Sequence, residues 1–371
     1  MARIKSADEI QQLRAVIKVI GLGGAGGNAI NRMVEAGLRD VELIAANSDA
    51  QDLRRSRAGL RVQLGASLTG GLGVGGDPGK GRLAGMEAEE QLREVLAGAH
   101  MGFITAGMGG GTGTGVSPVA ARIARKLNAL TVAVVTRPFE FEGRIRALHA
   151  DNGIRELREC VDTLLVIPND RIFGVIEENA PADEAFRRVD DVLRQAVQSI
   201  SDIITMSGDI NVDLTDFRAI MTNAGEAHMG VGEAEGPGRA VEAARRAVSS
   251  PLLENASIEG ARGLLVNIMG SKRKLSLKDI DEAMGLINRS ASPDARIKMG
   301  KAYDDSLGDR IRITVVATGF PARKAKPPAF GPGKGDAKAR DRREGQGLHG
   351  ASQEEQYRIP AFLRIKTKKL R

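Results

Sequence analysis

Hydrophobic and polar positions divide the first half of the chain into short apolar runs separated by stretches of helical spacing. Five apolar runs, rich in β-branched residues, predict buried strands at 16–20, 41–46, 101–105, 130–136 and 161–167. Between them, apolar residues three and four apart predict helices at 28–36, 87–96 and 116–127. Buried strands that alternate with helices are typical of a parallel sheet covered on both faces. The pattern therefore predicts an α/β domain with a Rossmann-like parallel sheet.

A long amphipathic segment follows this domain. Residues 183–204 contain neither Pro nor Gly, and their apolar positions repeat with the helical period, which predicts one long central helix. Beyond it, the pattern predicts helices at 216–227, 240–248 and 277–287 and strands at 263–268 and 310–317. We expect this second, smaller half to be an α/β or α+β domain with its own sheet.

The composition changes again after Gly319. Pro, Gly, Lys, Arg and Asp dominate until Tyr357, which is typical of a disordered linker, and a short hydrophobic island on such a tether is typical of a docking peptide. The expected organisation is an N-terminal extension (1–12), a first α/β domain (13–181), the central helix (182–206), a C-terminal domain (207–320), a disordered linker (321–355) and a C-terminal peptide (356–371).

Charge and cysteine content narrow the class of protein. The net charge is +7, but the part from Pro321 onward holds 14 Lys and Arg against 5 Asp and Glu, so residues 1–320 carry a net charge of −2. Nucleic-acid binding by the folded part is therefore disfavoured. Cys160 is the single cysteine, which excludes an internal disulfide. With no apolar run of 18 or more residues and no apolar segment at the N-terminus, we expect a soluble cytoplasmic protein.

Two glycine-rich loops each follow a predicted strand and precede a predicted helix. Gly21, Gly23 and Gly26 form a Gly-x-Gly-x-x-Gly pattern, in which backbone amides and a helix N-terminus can bind phosphate. The loop at 109–115 contains five glycines and two threonines. Such a loop costs backbone entropy in a plain turn but provides a cradle of N–H donors for a polyphosphate. The two loops together predict a nucleotide site.

Other nucleotide-binding classes fit less well. The first loop alone is consistent with a tight turn or with a dinucleotide-dependent dehydrogenase, which would need an acidic residue about 20 residues further on to bind a ribose. The sequence offers Asn47 and Asp49 instead. The chain has no Gly-x-x-x-x-Gly-Lys-Ser/Thr motif, which excludes a P-loop NTPase.

The loop at 109–115 resembles the signature loop of the tubulin/FtsZ superfamily, and the sequence resembles the FtsZ family from about Val16 to Gly319. This resemblance implies a GTPase that binds GTP or GDP together with Mg²⁺, which is held through the nucleotide and not by a protein ligand directly. The residues that it places around the nucleotide are Gly24, Ala25, Gly26, Gly27, Asn28, Asn47, Asp49, Gly75, Gly110, Gly111, Thr112, Gly113, Thr114, Glu142, Arg146, Asn169, Phe186 and Asp190.

The resemblance also implies roles at the phosphate end. Residues 24–28 are expected at the α- and β-phosphates, residues 111–113 at the terminal phosphates, and the loop 73–78 near the γ-phosphate. Asn47 and Asp49 are expected near the sugar or Mg²⁺.

At the other end of the nucleotide, Glu142 is expected to hold the ribose hydroxyls, with Arg146 beside the nucleotide and Asn169 near the base. Phe186 is expected to stack on guanine, and Asp190 to accept hydrogen bonds from its N1–H and N2–H. Without the resemblance, Glu142 and Arg146 are a solvated charge pair, Phe186 is a core residue and Asp190 is an exposed helical acid.

The segment from Asn211 to Asp216 carries two acids just before a predicted helix. By spacing alone, Asp213 is an N-cap and Asp216 lies in the first helical turn, where it complements the helix dipole. The segment also resembles the family loop that enters the nucleotide site of the next subunit. The resemblance implies that Asn211, Asp213 and Asp216 complete that site in trans, and a contact of this head-to-tail kind generates filaments.

The C-terminal peptide resembles the family segment that binds membrane-tethering and regulatory division proteins. Ile359, Pro360, Phe362 and Leu363 are its expected contact residues, and the basic residues at 366–371 would add attraction to acidic partners or anionic lipid. The implied function is a self-polymerising GTPase of the bacterial division ring, located at midcell on the inner face of the membrane. A non-hydrolysing polymer is disfavoured by Asp213 and Asp216.

The sequence departs from the usual family pattern at a few positions. Ser48 replaces Thr, and the pair Leu214 and Thr215 replaces Phe-Ala. In the loop near the γ-phosphate, Asp77 is expected to place extra negative charge near the phosphates and Lys80 to offset it. We expect these changes to affect turnover and polymer stability rather than the choice of nucleotide.

Overall fold

A single ten-stranded sheet runs through the part of the chain that the computed structural model describes, which is residues 15–174, 181–205, 213–250, 258 and 260–320. The strands are β1 (Ile17–Leu22), β2 (Val41–Asn47), β3 (Leu60–Gln63), β4 (Met101–Gly107), β5 (Leu130–Arg137), β6 (Thr163–Pro168), β7 (Gly225–Ala234), β8 (Gly263–Gly270), β9 (Arg296–Tyr303) and β10 (Ile311–Thr318).

Helices cover both faces of this sheet. The helices in the described residues are α1 (Gly23–Glu35), α2 (Ala50–Arg55), α3 (Ala66–Thr69), α4 (Pro78–Glu87), α5 (Glu89–Leu96), α6 (Thr112–Lys126), α7 (Arg144–Cys160), α8 (Ala182–Thr205), α9 (Leu214–Met221), α10 (Arg239–Val248) and α11 (Leu277–Ser290). Short 3₁₀ turns lie at Glu140–Glu142, Asn169–Gly174 and Asp305–Leu307.

The strand order is β3-β2-β1-β4-β5-β6-β7-β10-β8-β9. The first six strands in this order, β3-β2-β1-β4-β5-β6, all pair in parallel, as the sequence pattern predicts. Their order reverses direction between β1 and β4. This reversal is the topological switch point at which doubly wound sheets bind their ligands. The prediction of a Rossmann-like parallel sheet is confirmed.

The second half does not have a separate sheet, contrary to our expectation. β7 pairs in parallel with β6 through three residue pairs, from Thr163 with Gly225 to Leu165 with Ala227. β7 then pairs antiparallel with β10, β10 pairs antiparallel with β8, and β8 pairs in parallel with β9. The sequence pattern could not reveal this junction because nothing local specifies which strand β7 pairs with.

The long helix α8 confirms the predicted central helix and connects the two halves of the core. Its residues Val192, Leu193 and Val197 are buried in one cluster that also contains Val134 of β5 and Val316 of β10. Since one apolar cluster spans both halves, α8 holds them together through burial of apolar surface. On the opposite face of the first half, α4, α5, α6 and α7 cover a second cluster.

The helix predicted at 216–227 is too long at its C-terminal end. α9 ends at Met221, and β7 begins at Gly225. Asn223 has φ of 50° and Gly225 has φ of 72°, which places both in the left-handed region that ends helices. None of the described helices combines the length and apolar character needed to cross a bilayer.

Leu193→Ala should lower the free energy of unfolding by about 2–5 kcal/mol, because the deletion leaves a cavity in a fully buried site. Urea unfolding followed by circular dichroism measures this loss. Arg187→Ala, at an exposed position of the same helix, is the matched control and should change stability by less than about 0.5 kcal/mol. Separate unfolding transitions, of which the substitution moves only one, would contradict a core shared by both halves.

Candidate nucleotide-binding site

The two glycine loops meet at the switch point of the sheet. α1 begins at Gly23, directly after β1, and α6 begins at Thr112, shortly after β4. β1 and β4 are parallel neighbours, so both helix N-termini lie at the same edge of the sheet. A Cβ atom on Gly23 would lie 3.0 Å from the Gly113 amide nitrogen. Two sets of unpaired N–H groups and two helix dipoles therefore favour an anion at this edge.

Two of the predicted loop residues are glycines because the backbone packs closely there. A Cβ atom on Gly26 would lie 2.5 Å from the Thr105 carbonyl oxygen, and one on Gly113 would lie 2.7 Å from the Gly107 carbonyl oxygen. These positions allow α1 and α6 to pack tightly against the strand ends, which is the role of the third glycine of the fingerprint.

A cavity of about 390 Å³ opens beside these loops. Six of the predicted nucleotide residues line it: Gly24, Asn47, Asp49, Gly75, Gly111 and Thr112. Predicted residues Gly27 and Asn28 line an adjoining recess with Asn47. Gly110 faces open space, and Ala25 packs near Gly107.

Ser48, Gln51, Asp52 and Arg55 also line the cavity, and sequence reasoning missed them. Asp52 accepts a hydrogen bond of 2.6 Å from Asn47 Nδ2 and so fixes the Asn47 amide. Asp49 caps α2, where its Oδ1 accepts from the Gln51 and Asp52 amides at 2.8 and 3.2 Å. Residues 49, 52 and 55 are spaced three apart at one short helix, and this spacing could have predicted that Asp52 and Arg55 lie on the same side as Asp49.

The hydroxyls of the second loop serve different purposes. Thr112 Oγ1 lies 2.7 Å from Ser48 Oγ and joins the second loop to β2. Thr114 Oγ1, by contrast, accepts a hydrogen bond of 2.8 Å from the Gly109 amide and is buried inside the loop. Thr112 therefore lies at the cavity, whereas Thr114 holds the shape of the loop.

The loop 73–78 packs directly onto Gly111, where a Cβ atom would lie 2.4 Å from Val74 Cγ2. Asp77 also lies against Gly111, whose Cβ atom would be 2.9 Å from the Asp77 amide nitrogen, and its charge near the phosphates stays a prediction. Asp77 caps α4, and its Oδ1 accepts from the Gly79 and Lys80 amides at 2.8 and 3.2 Å. Neither Asp77 nor Lys80 lines the cavity. The cap at Asp77 was not predicted, because the helix that begins at Pro78 was not among the predicted elements.

Glu142 and Arg146 begin the next part of the site. Glu142 Oε1 accepts from the Phe139 amide at 2.9 Å, and its Oε2 lies 3.1 Å from Arg146 Nε. Arg146 in turn lies against the second glycine loop, because a Cβ atom on Gly109 would be 2.8 Å from its Cγ. The Glu142 side chain is therefore held in one orientation beside the loop.

An aromatic cluster lies next to this pair. Phe139 is buried and contacts Phe141, Phe173 and Phe186, with ring centroids 4.8, 5.4 and 5.8 Å away. Phe186 is 48% exposed, although it sits on the apolar stripe of α8. An exposed aromatic ring on a buried aromatic base can stack a planar ligand.

Two polar groups lie on the segments that carry Phe186 and Phe173. Asp190 is one helical turn after Phe186, and burial raises the pKa of its carboxyl to about 7, against the opposing effect of the Arg32 guanidinium. Asn169 Oδ1 is buried and has no hydrogen-bond partner among the described residues. A buried acceptor without a donor is consistent with a ligand that supplies one.

The acids predicted to act in trans lie far from the cavity. Asp213 Oδ1 accepts from the Asp216 amide at 2.6 Å and caps α9, so the predicted N-cap is confirmed. Arg218 of the same helix donates to the carbonyl oxygens of His100 and Asn128 at 2.7 and 3.2 Å. These carbonyls precede β4 and β5, so α9 lies at the amino edge of the parallel strands. Asn211 and the peptide with Ile359, Pro360, Phe362 and Leu363 lie outside the described residues.

Two other cavities lack the features of a phosphate site. One, of about 610 Å³, lies between α11 and β9 and is largely apolar, with Leu277, Met284 and Met299 in its walls. The other, of about 520 Å³, is a polar cleft between α1, α8 and the second half. Neither is lined by the two glycine loops.

Comparisons with known proteins agree with this geometry. Residues 16–177 match the Tubulin/FtsZ family, GTPase domain, and residues 225–321 match the FtsZ family, C-terminal domain. The chain is 42% identical to M. jannaschii FtsZ, in a structure of an empty FtsZ dimer, over 84% of this chain and 90% of that chain, with a TM-score of 0.80.

Two more distant structures share the fold. They are CetZ2 from Haloferax volcanii, as a GTPγS-bound protofilament, and CetZ1 from the same organism, as a GDP-bound monomer. The CetZ2 match has 22% identity, covers 83% of this chain and 94% of that chain, and has a TM-score of 0.70. The CetZ1 match has 21% identity, covers 82% and 94%, and has a TM-score of 0.71.

The dehydrogenase alternative can now be set aside, since the matched GTPase domain contains both glycine loops, the cavity and the Glu142 segment. The chain therefore belongs to the FtsZ family, with residues 16–177 as its GTPase domain.

Proposed function

We propose that this protein polymerises head to tail, that each GTP is hydrolysed with the help of acids from the adjacent subunit, and that the filament forms the cell-division ring. One observation carries the proposal: the glycine loops and the Asp213–Asp216 turn lie at opposite edges of the same parallel strands. β4 has seven residues, so the two edges are roughly 20 Å apart. Asp216 cannot reach the phosphates of its own subunit.

Two carboxylates line the cavity, and each uses one oxygen within its own subunit. Asp49 Oδ1 caps α2, and Asp52 Oδ2 accepts from Asn47. Their other oxygens suit the Mg²⁺ that accompanies the nucleotide, so we assign the orientation of the attacking water to acids from another subunit. A second subunit stacked on the glycine edge would present Asp213 and Asp216 there, and hydrolysis would follow assembly.

The filament geometry follows from this pairing of unlike surfaces. A contact between opposite edges is heterologous and does not close on itself, so it continues into a linear polymer. Apolar side chains are exposed near the glycine edge, where Leu72 is 84%, Phe141 is 68% and Ile145 is 73% exposed. M. jannaschii FtsZ as a dimer and CetZ2 as a protofilament provide precedents for assembly among structural relatives.

At the nucleotide itself, the geometry supports guanine recognition. Phe186 offers a stacking surface, the ionised Asp190 would accept two N–H groups of guanine, and Asn169 offers a further acceptor. Glu142 would accept from the ribose hydroxyls, with Arg146 beside it. The amides at Gly24 to Asn28 and Gly110 to Gly113, with Thr112, would bind the phosphates, while Ala25, Gly26 and Thr114 shape the loops.

Magnesium fits the donors present. Asp49 and Asp52 place hard carboxylate oxygens in the cavity, and Mg²⁺ is bound in such sites by one or two carboxylates together with substrate phosphates. No group of three or more His, Cys, Asp or Glu that could hold a metal occurs in the described ranges. The cation would neutralise phosphate charge.

The cellular role that we propose depends on where the filament is attached. We place the filament in the cytoplasm at midcell, against the inner face of the membrane. The C-terminal peptide at 356–371 would attach it to membrane-tethering and regulatory division proteins through Ile359, Pro360, Phe362 and Leu363. In this proposal, the predicted first domain binds the nucleotide, the predicted C-terminal domain carries the catalytic loop, and the C-terminal peptide attaches the filament.

GTP turnover per molecule should rise from near zero above a threshold protein concentration, because a single subunit lacks the catalytic acids. Phosphate release with Mg²⁺, measured alongside sedimentation, tests this. The threshold for turnover should coincide with the appearance of pelletable polymer. Turnover per molecule that does not depend on protein concentration would reject hydrolysis in trans.

Asp213→Asn should lower GTP turnover by about a hundredfold or more, while GTP binding and folding persist. Asn is as good an N-cap as Asp, so this variant keeps the helix cap and removes only the charge. Near-normal turnover of Asp213→Asn would reduce Asp213 to a structural cap.

Mixing two inactive variants provides the test in trans. Asp190→Ala should lose GTP binding but keep the acids, and Asp213→Asn keeps the GTP site. An equimolar mixture should recover about a quarter of wild-type turnover, because random heterologous assembly pairs an intact site with intact acids at about one junction in four. A mixture as inactive as its components would contradict donation between subunits.

Guanine-nucleotide affinity should fall as the pH drops below 7. The raised pKa of Asp190 means that its carboxyl becomes neutral there and must lose a proton before it can accept both guanine N–H groups. The dissociation constant of GDP should rise by about fivefold from pH 7 to pH 6, beyond any effect of phosphate protonation. Asp190→Asn controls for the phosphate and should lose this part of the pH dependence. Identical pH slopes for both proteins would disprove the role of Asp190.

A further inference from the structure

Asp216 forms an ion pair that its role as a trans acid does not explain. Its Oδ1 lies 2.8 Å from the ammonium nitrogen of Lys298 in β9. The two side chains are 42% and 43% exposed, so both remain accessible at the amino edge of the sheet. Lys298 is not among the residues singled out from the sequence.

The register of β9 explains why Lys298 faces Asp216. Ile297 and Met299 pack into the cluster beneath α11, so the intervening side chain emerges on the other face of the sheet. Lys298 pairs with Leu265 of β8, and Leu265 belongs to the cluster that buries Phe217. Lys298 and the start of α9 therefore share one face.

The backbone of Asp216 is already fixed without this lysine. Asp213 caps the helix through the Asp216 amide, and the following residue, Phe217, is fully buried. Exposed ion pairs contribute little to folding stability, so the pair with Lys298 is not needed to hold α9 in place. What Lys298 does fix is the direction of the Asp216 carboxylate.

Charge gives a second reason for a lysine at this position. Asp213 and Asp216 lie within one helical turn, and in the proposed filament they would approach the polyphosphate of a neighbour. Like charges repel strongly over short distances, and an adjacent cation offsets that repulsion. Lys298 is the third residue of β9, which runs parallel to β8, so it lies near the amino end of its strand, on the side where the adjacent subunit would approach.

We propose that Lys298 is a positioning residue for GTP hydrolysis. It binds one oxygen of Asp216, so that the other oxygen faces the water molecule at the adjacent subunit's nucleotide, and it offsets the negative charge that the two acids bring. The inference rests on the proposed function, since it gives Lys298 a role only if Asp216 acts in trans.

Lys298→Gln should lower maximal turnover per polymerised subunit by about tenfold, because a misdirected catalytic group reacts slowly. The KM for GTP and the threshold for pelletable polymer should stay within about twofold of wild type. Lys298→Arg keeps the charge and the reach and should restore most of the turnover. The matched control is Lys274→Gln, which removes a lysine of the same half whose Nζ lies 2.6 Å from Asp309, and it should leave turnover unchanged.

Coupling to Asp216 separates positioning from a general effect of charge. In an Asp216→Asn chain, Lys298→Gln should cause no further loss of turnover, because the oxygen that it directs is already gone. A further tenfold loss in that chain would overturn the proposal. So would unchanged turnover of Lys298→Gln, an arginine variant as slow as the glutamine variant, or a raised polymer threshold with normal turnover per polymerised subunit.

Failure of the proposed function gives a different result. If wild-type turnover does not depend on protein concentration, hydrolysis in trans is wrong, whatever the Lys298 variants do. If wild type shows the threshold and Lys298→Gln matches it in turnover, only the role of Lys298 is wrong. Urea unfolding midpoints equal to wild type exclude misfolding of the variants as the cause of slow turnover.

Discussion

Backbone N–H groups at the amino ends of α1 and α6 meet at the carboxyl edge of β1 and β4, and the approach leaves no room for a Cβ atom at Gly26 or Gly113. This close contact concentrates partial positive charge where a polyphosphate can be bound by backbone amides. It also fills the edge with backbone. The acids that remain there, Asp49 and Asp52, are held by Gln51, Asp52 and Asn47. This packing places the phosphate-binding amides at the edge opposite the one that we propose to be catalytic.

Because the strands are parallel, the two edges lie at opposite ends of the same strands. Each of the six parallel strands, β1 to β6, starts at the edge where Arg218 contacts the His100 and Asn128 carbonyls. Each ends at the edge with the glycine loops. α8 contributes to one core with strands of both halves, and β7 continues the sheet beyond β6. The edge with the glycine loops and the edge with Asp213 and Asp216 are therefore parts of one packed body, and strand length sets the separation between them.

Features that depend on neighbouring residues could be predicted from the sequence, whereas features that depend on long-range strand pairing could not. The glycine loops, the apolar stripe of α8 and the cap at Asp213 depend on neighbouring residues, and all three occur as predicted. No local pattern indicates that β7 pairs with β6, because the paired residues are about 60 positions apart in the chain. The cap at Asp77 was not predicted because α4 was not, and Asp52 was missed because its partner, Asn47, lies in the preceding strand. Lys298 depends on strand register, which the mixed polarity of β9 does not reveal.

The orientation of the sheet has a mechanical consequence. In the proposed filament, successive subunits join at the two ends of the parallel strands, so the filament axis runs along those strands. Tension on the polymer would then load the ladders between β1, β2, β4, β5 and β6 in shear. All hydrogen bonds along a strand share such a load, because the bonds of a parallel ladder are evenly spaced along it. The strands that separate the two edges would also be the elements that transmit force from one subunit to the next.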